Sequence, residues 1–398
     1  MSTGWRAGNH FELLENGNAF FPAVEAAIAR ARREVLLETF ILFDDAVGRS
    51  LQQILIDAAK RGVRVVLTLD GYGCDPLEPA FLAALADAGV HVHVFDPKPR
   101  LFGMRFHVFR RMHRKLIVID SELAFVGGIN FSQDHLTEYG AQAKQDYAVS
   151  VQGPLCGDIA AYMRAAVATT PGALPTADPA TLVDEDGAGK LVVRDNARHR
   201  QDIERLYRAS LRAARQDVLI ANAYFFPGYR LLHDMAAAAR RGVRVRLMLQ
   251  GEPDMRIARL AAKMLYDYLT DAGVEIYEYC RRPLHGKVAC FDYDWSTVGS
   301  SNLDPFSLAL NLEANVLMRD RALNRALRQR LERILQEDCE PVPRPANGTR
   351  RLRRFWAGVV VFHVLRRFPN WAGSLPAHKP RLQHVGARSD GVFTSTRE

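Results

Sequence analysis

Two stretches of the chain carry the same order of apolar and polar positions. The first opens with EVLLETFI (34–41), continues through an amphipathic run from Leu51 to Ala59, and reaches RGVRV at 61–65. The second opens with DVLIANAY (217–224), continues from Leu231 to Ala239, and reaches RGVRV at 241–245. Each RGVRV leads into a strand-like run, VVLTLDG (65–71) and VRLMLQG (245–251), then a helical pattern ending in DAGV (87–90 and 271–274), then HVHVF (91–95) and EIYEY (275–279). Each half therefore predicts helix, buried strand, helix, strand, helix, strand. Continuous apolar strands alternating with amphipathic helices predict parallel strands covered by helices. Gly62 and Gly242 stand where a helix must stop before a short turn, as C-terminal capping glycines do. A period of 180 residues is far too long for a solenoid and points to a duplicated α/β domain.

Between the halves lies PGALPTADPATLVDEDGAGK (171–190), rich in Pro, Gly, Ala and acid and without an apolar period. It reads as a linker. The predicted plan is a first lobe over 1–170, its repeat beginning near residue 8, a linker over 171–190, a second lobe over 191–340, and a tail over 341–398. A chain of 398 residues is long enough for two cores. Its 48% apolar and 25% charged content excludes disorder or a fibrous fold for most of its length.

Charge changes the picture of the tail. The whole chain is +8, but residues 341–398 hold eleven Lys or Arg against two acids, a net of +9 that leaves −1 for residues 1–340. A near-neutral body argues against a nucleic-acid groove, and the basic tail predicts contact with an anionic surface. Within the tail, Phe355 to Leu365 is an eleven-residue apolar run flanked by Arg350, Arg351, Arg353, Arg354, Arg366 and Arg367. As a helix it would reach about 16 Å, against roughly 30 Å of hydrocarbon. It cannot span, and is expected to lie in the interface with its arginines at the lipid phosphates. The N-terminus has no secretory pattern. Cys74, Cys156, Cys280, Cys290 and Cys339 form neither a disulfide framework nor a zinc spacing.

The candidate chemistry sits in a second shared string. The first half reads His113-Arg114-Lys115, four residues, Asp120, then Gly127-Gly128-Ile129-Asn130. The second reads His285-Gly286-Lys287, four residues, Asp292, then Gly299-Ser300-Ser301-Asn302. One His-x-Lys means nothing, but two copies with identical spacing at matching places in a repeat form a pattern. On a strand, residues i and i+2 face one side, so each His and Lys project together. The Asp falls at the strand's end, where the chain turns. Two His, two Lys and two Asn facing one point suit a phosphate. One histidine can attack phosphorus while the other protonates the leaving oxygen and then deprotonates the incoming hydroxyl. A His and Asp metal site is the rival reading, and the two lysines oppose it. No metal and no cofactor is expected.

This pattern resembles the phospholipase D superfamily, whose signature is a duplicated HxKxxxxDxxxxxxG(G/S), over about residues 8–340. The strings LLETFILFDD (36–45), RLFGMRFHVFRRMHRK (100–115), NAYFFPGYR (222–230) and VGSSNLDPFSLALNLEANV (298–316) are similar to bacterial cardiolipin synthases. The resemblance implies two α/β lobes, each a mixed or mostly parallel sheet flanked by helices, sharing one active site at a pseudo-twofold interface. It implies catalytic roles for His113, Lys115, Asp120, His285, Lys287 and Asp292. It further implies phosphate contacts from Asn130 and Asn302, and a histidine-orienting carboxylate at Glu313. Residue 141, at the matching offset in the first half, is Ala, so the two histidines are expected to have different surroundings. The family's usual order makes His113 the nucleophile and His285 the acid and base. Transfer to an alcohol and hydrolysis by water both fit the motif; the resemblance implies transfer between anionic phospholipids at the inner face of the cell membrane. The segment from Pro97 to Ile119 carries seven Lys or Arg and no acid, interleaved with Leu101, Phe102, Met104, Phe106, Phe109 and Met112. That composition suits an interfacial enzyme drawing lipid from a membrane.

Overall fold

The structure is a computed structural model describing residues 4–97, 111–168, 182–251, 265–343 and 382–386. The basic segment 98–110, most of the linker and the apolar run Phe355–Leu365 lie outside the described residues.

The first lobe contains β1 (His10–Glu15), β2 (Glu34–Thr39), β3 (Arg64–Asp70), β4 (His91–Phe95), β5 (Leu116–Ile119), β6 (Leu123–Gly127) and β7 (Tyr147–Gln152). The second contains β8 (Ala188–Arg194), β9 (Asp217–Asn222), β10 (Arg244–Gln250), β11 (Glu275–Tyr279), β12 (Lys287–Phe291), β13 (Trp295–Gly299), β14 (Glu313–Arg319) and β15 (Cys339–Pro341), and β16 (Leu382–Val385) follows. They form two eight-stranded sheets of the same design, β1-β7-β6-β5-β2-β3-β4-β16 and β15-β11-β10-β9-β12-β13-β14-β8. The repeat seen in the sequence is thus a structural duplication.

The sheets are mixed. As expected of a mixed sheet, parallel pairing is confined to part of it, β2-β3-β4 and β9-β10-β11. These are the strands separated by helices, such as α1 (Ala46–Lys60) between β2 and β3 and α2 (Pro79–Asp87) between β3 and β4. The motif strands β5 and β12 instead pair antiparallel with the strands that follow them, β6 and β13. Their connections are too short for a crossover helix, so antiparallel return is the available geometry. Asp120 and Asp292 open these turns at φ +54° and +49°, a conformation that Asp tolerates better than most side chains. Gly62 and Gly242 do end helices, at φ +86° and +90°.

Period-two alternation assigns each strand's two faces. Leu36, Val66, Leu116 and Val118 point into a core shared with Leu219, Val288, Val298 and Val316 of the second lobe. Val35, Leu37, Val65, Leu67, Ile117 and Ile119 point outward to the first lobe's covering helices. The second lobe has its own outer core around Ile220, Leu247 and Ala289. The two sheets meet through one continuous apolar core, into which the helices Leu155–Val167 and Arg321–Glu337 also pack, while the other helices cover the outer faces. That interface fixes the relative placement of anything on the inner strand ends.

Two boundaries differ from the sequence reading. β8 begins at Ala188, inside the stretch taken as linker. The tail is not wholly separate, since Leu382–Val385 pairs antiparallel with β4 and extends the first lobe's sheet.

Candidate active site

The two His-x-Lys segments enter β5 and β12 from the same end, against the opposite lobe. Met112 forms a parallel bridge with Leu312, and Gln145 forms one with Leu284. His113 N donates to Leu312 O at 2.9 Å, and His285 N donates to Gln145 O at 2.8 Å. Each motif is thus stitched by backbone to the residue just before a carboxylate of the other lobe.

The carboxylates complete an exchange. His113 Nδ1 lies 3.0 Å from Glu313 Oε2, and His285 Nδ1 lies 2.6 Å from Asp146 Oδ2. Glu313 opens β14; Asp146 stands directly before β7, the matching strand. Both carboxylates are fully buried. The expectation of different surroundings, drawn from Ala141, is corrected in one respect: each histidine has a carboxylate on Nδ1, which leaves its Nε2 for a reacting group. Ala141 misled because two 3₁₀ turns, Gln133–His135 and Thr137–Gln142, lengthen the first lobe between Asn130 and the strand. Comparing the strand openings QDYAV (145–149) and LEANV (312–316), rather than offsets, is the signal that finds Asp146.

The lysines fold back on their own motifs. Lys115 Nζ donates to His113 O at 2.9 Å, and Lys287 Nζ donates to His285 O. The Phe40 ring packs edge-on to His113 at 4.8 Å, and Lys115 Nζ sits 5.2 Å from its centroid. Burial dominates the electrostatics. It pushes His113 down to about 4 despite the pull of Glu313, with Lys115 adding to the fall. It brings Lys115 down to about 7 and Lys287 down to about 8, each partly offset by the nearby carboxylates. His285 falls well below the usual imidazole range through burial, then through Lys287 and Lys144. Burial works to raise Glu313, yet His113 and Lys115 hold it below the ordinary carboxylate value. Four cation-capable groups in a dry interface, all biased toward neutrality, form a site that an arriving anion would recharge.

Asn130 and Asn302 are buried, and the side-chain Oδ1 of each has no hydrogen-bond partner. A half-turn of either amide presents its NH₂ instead, so each offers an unspent polar end. Asp120 and Asp292, by contrast, are not in the site. Four strand residues separate Lys115 from Asp120, about 16 Å at strand rise. Asp120 accepts from Arg32 N at 2.9 Å, Arg33 N at 2.8 Å and Glu34 N at 2.8 Å. Asp292 accepts from Arg215 N, Gln216 N and Asp217 N at 2.8–3.1 Å. Both aspartates clamp the start of the neighbouring strand, and their catalytic assignment is corrected to a structural one.

His135 also escaped the sequence reading. It is fully buried, its ring 5.4 Å from that of His285. His135, Asp146 and His285 offer one donor atom each within 4.8 Å of one another. The His135 Nε2 accepts Asn130 N–H at 3.3 Å, which leaves the ring proton on Nδ1, the atom a cation would need. Lys144 and Lys287 stand near the group. The donor set suits a proton network better than a divalent ion.

Two α/β lobes bringing paired His-x-Lys motifs and crossed carboxylates to one interface have the architecture of the phospholipase D superfamily. The family model described as "Cardiolipin synthase, PLD-like domain" matches residues 24–166 and 207–335. Cardiolipin synthase B of Salmonella typhi is 52% identical over 393 residues, 97% of this chain and 94% of the relative. Cardiolipin synthase B of Escherichia coli K12 is 50% identical over 393 residues, with the same coverage. Cardiolipin synthase A of Pseudomonas putida KT2440 is 33% identical over 336 residues, 84% of this chain and 69% of the relative. The crystal structure of phosphatidylserine synthase from Haemophilus influenzae Rd KW20 superposes with a TM-score of 0.63 at 14% identity, covering 89% of this chain and 94% of that one; what the two share is the fold. The chain belongs to the cardiolipin synthase family of phospholipase D-like enzymes.

Proposed function

We propose that the enzyme makes cardiolipin and glycerol from two molecules of phosphatidylglycerol through a phosphohistidine. His113 Nε2 attacks the donor's phosphorus, the N–P bond forms and the P–O bond to the terminal glycerol breaks. His285 gives that oxygen its proton, and glycerol leaves. The neutral His285 then takes the proton of a hydroxyl on a second phosphatidylglycerol, whose oxygen attacks phosphorus and releases His113. Lys115, Lys287, Asn130 and Asn302 hold the phosphoryl oxygens. With glycerol as acceptor and phosphatidylethanolamine as donor, the same steps give phosphatidylglycerol. The observation that carries this reading is the pair of crossed carboxylates, at 3.0 and 2.6 Å from Nδ1, which hold two histidines by one nitrogen and leave the other for a reacting group.

The enzyme is proposed to act peripherally at the inner face of the cell membrane. The +9 tail and the basic segment before His113 support this, and no helix among the described residues is long and apolar enough to cross a bilayer. The test is lipid mass spectrometry on the purified protein given phosphatidylglycerol in mixed micelles. Cardiolipin and glycerol in equal amounts are expected; phosphatidate with no cardiolipin would make the enzyme a hydrolase instead.

A further inference from the structure

The two half-sites differ in how their carboxylates are held. Glu313 Oε2 accepts, besides His113, the hydroxyl of Ser300 at 2.5 Å. Gly128 occupies the matching place in the first lobe, and a Cβ there would lie 2.4 Å from Asp146 Oδ1. No side chain fits at that position, so it cannot give Asp146 a hydroxyl. His135 approaches Asp146 instead, from the turn Gln133–His135. Its Nδ1 is buried, lies 3.7 Å from Asp146 Oδ2 and has no hydrogen-bond partner. The Asn130 N–H on Nε2 places the proton on that same Nδ1. An N–H sealed from water, without a partner and 3.7 Å from a carboxylate oxygen is a donor that a small shift brings within reach of that carboxylate.

We propose that His135 is a positioning residue for His285, its Nδ1–H steadying the Asp146 carboxylate as the Ser300 hydroxyl steadies Glu313. The inference rests on the reading above, in which His285 is the acid and base. The charged groups facing His135 are Asp146, Asp134 at 3.9 Å from Nε2, Lys144, Lys287 and His285. Those facing His285 are Asp146, Lys287, Lys144, Lys115 and His113. Asp134 is itself paired with Lys144 at 2.5 Å, so Asp146 is the acid left to His135. Burial keeps the His135 ring neutral against the pull of Asp146. A neutral donor draws charge away from Asp146, which weakens its hold on the imidazolium of His285 and eases proton release to the leaving glycerol. Asp146 Oδ1 already accepts Tyr147 N–H at 2.8 Å, so the contrast between the halves lies in the side-chain donor on the histidine-bound oxygen, a hydroxyl behind the nucleophile and an imidazole behind the acid and base.

His135→Phe keeps the ring volume and removes the donor. Its kcat is expected to fall about tenfold, the loss of roughly one hydrogen bond, with KM for phosphatidylglycerol within twofold of wild type. The alkaline limb of the kcat profile, set by the protonated His285 that releases glycerol, is expected to move up by about half a pH unit, because a more basic Asp146 holds the His285 proton more tightly. His135→Gln, which returns an N–H, is expected to recover most of both changes. An unmoved pH profile, or equal loss in the two variants, overturns the proposal. Nitrogen-15 NMR of the wild-type enzyme tests it without any variant: a neutral Nδ1–H tautomer at His135 is expected, and an Nε2–H tautomer overturns it. Mass spectrometry of the acid-labile phosphatidyl adduct separates this from the role assignment. An adduct on His285 overturns the assignment of nucleophile, while the tautomer and the pH shift still decide for or against His135.

Discussion

At the scale of single residues, the site is a set of buried bases whose charge depends on one another. With Lys115 near 7 and Lys287 near 8, both lysines begin to lose charge just above neutrality, well below the ordinary ammonium range. Because the anionic substrate needs them charged, kcat/KM is expected to fall as pH rises through 7 to 8, measured in a pH-rate series under first-order conditions. His113→Ala and His285→Ala should each lower cardiolipin formation by at least ~1,000-fold. Asp146→Asn and Glu313→Gln should each lower kcat about 100-fold with thermal stability little changed. An effect of Glu313→Gln alone would restore the asymmetry that the first half's Ala141 suggested. The motif histidines and lysines were legible as a spacing repeated in both halves, although His113, Lys115 and His285 lie just before their strands rather than on them. Asp146 was not, because two short turns change the count from Asn130 without changing the strand that follows. His135 lies outside any repeated string, so only its approach to Asp146 in space reveals it.

At the scale of elements, the motif aspartates belong to the hairpins and not to the chemistry. The spacing itself placed Asp120 and Asp292 where the chain turns; the family signature, which groups them with His and Lys, led away from that placement. Each carboxylate gathers backbone N–H groups that would otherwise lack partners at the start of β2 or β9. Asp120→Ala is expected to cost about 1–2 kcal/mol of stability, read as a lower thermal midpoint, while the folded enzyme keeps its kcat. Burial works against the Asp120 charge, but the three backbone donors outweigh it and hold its pKa below the usual value. A depressed carboxylate pKa contributes stability that is present above about pH 4 and lost as pH falls through the folded value. The wild-type advantage over Asp120→Ala should therefore shrink in acid, as denaturant melts below pH 4 would register. Parallel order was legible only where a helix intervenes; a three-residue connection carries no apolar period, and pairing direction follows from its length.

At the scale of the whole molecule, the sequence disclosed the duplication, but the edges of the sheets lay beyond it. β4 and β11 are each covered by a strand from later in the chain, β16 and β15 respectively. The β16 segment is four residues in a polar, Pro-rich tail, with no periodicity to announce it. His384 sits opposite His93 in register, the rings 5.3 Å apart. Burial and the neighbouring His384 push His93 down to about 4. A base lowered on folding costs stability once the unfolded chain takes up its proton, so β16 should loosen as pH falls below about 6. Truncation before Leu382 is expected to bare the β4 edge, lower the thermal midpoint and increase self-association by light scattering.

The crossed carboxylates also bear on when the enzyme can first act. Glu313 is synthesised some two hundred residues after the histidine it serves, and His285 long after Asp146. A nascent chain that has delivered only the first lobe carries His113 and Lys115 and still lacks the group that aims the imidazole. Both half-sites are completed by the same late docking of the second lobe. On the proposed mechanism neither lobe alone opens a phosphodiester and leaves it to water, so reactivity is expected only with the assembled pair.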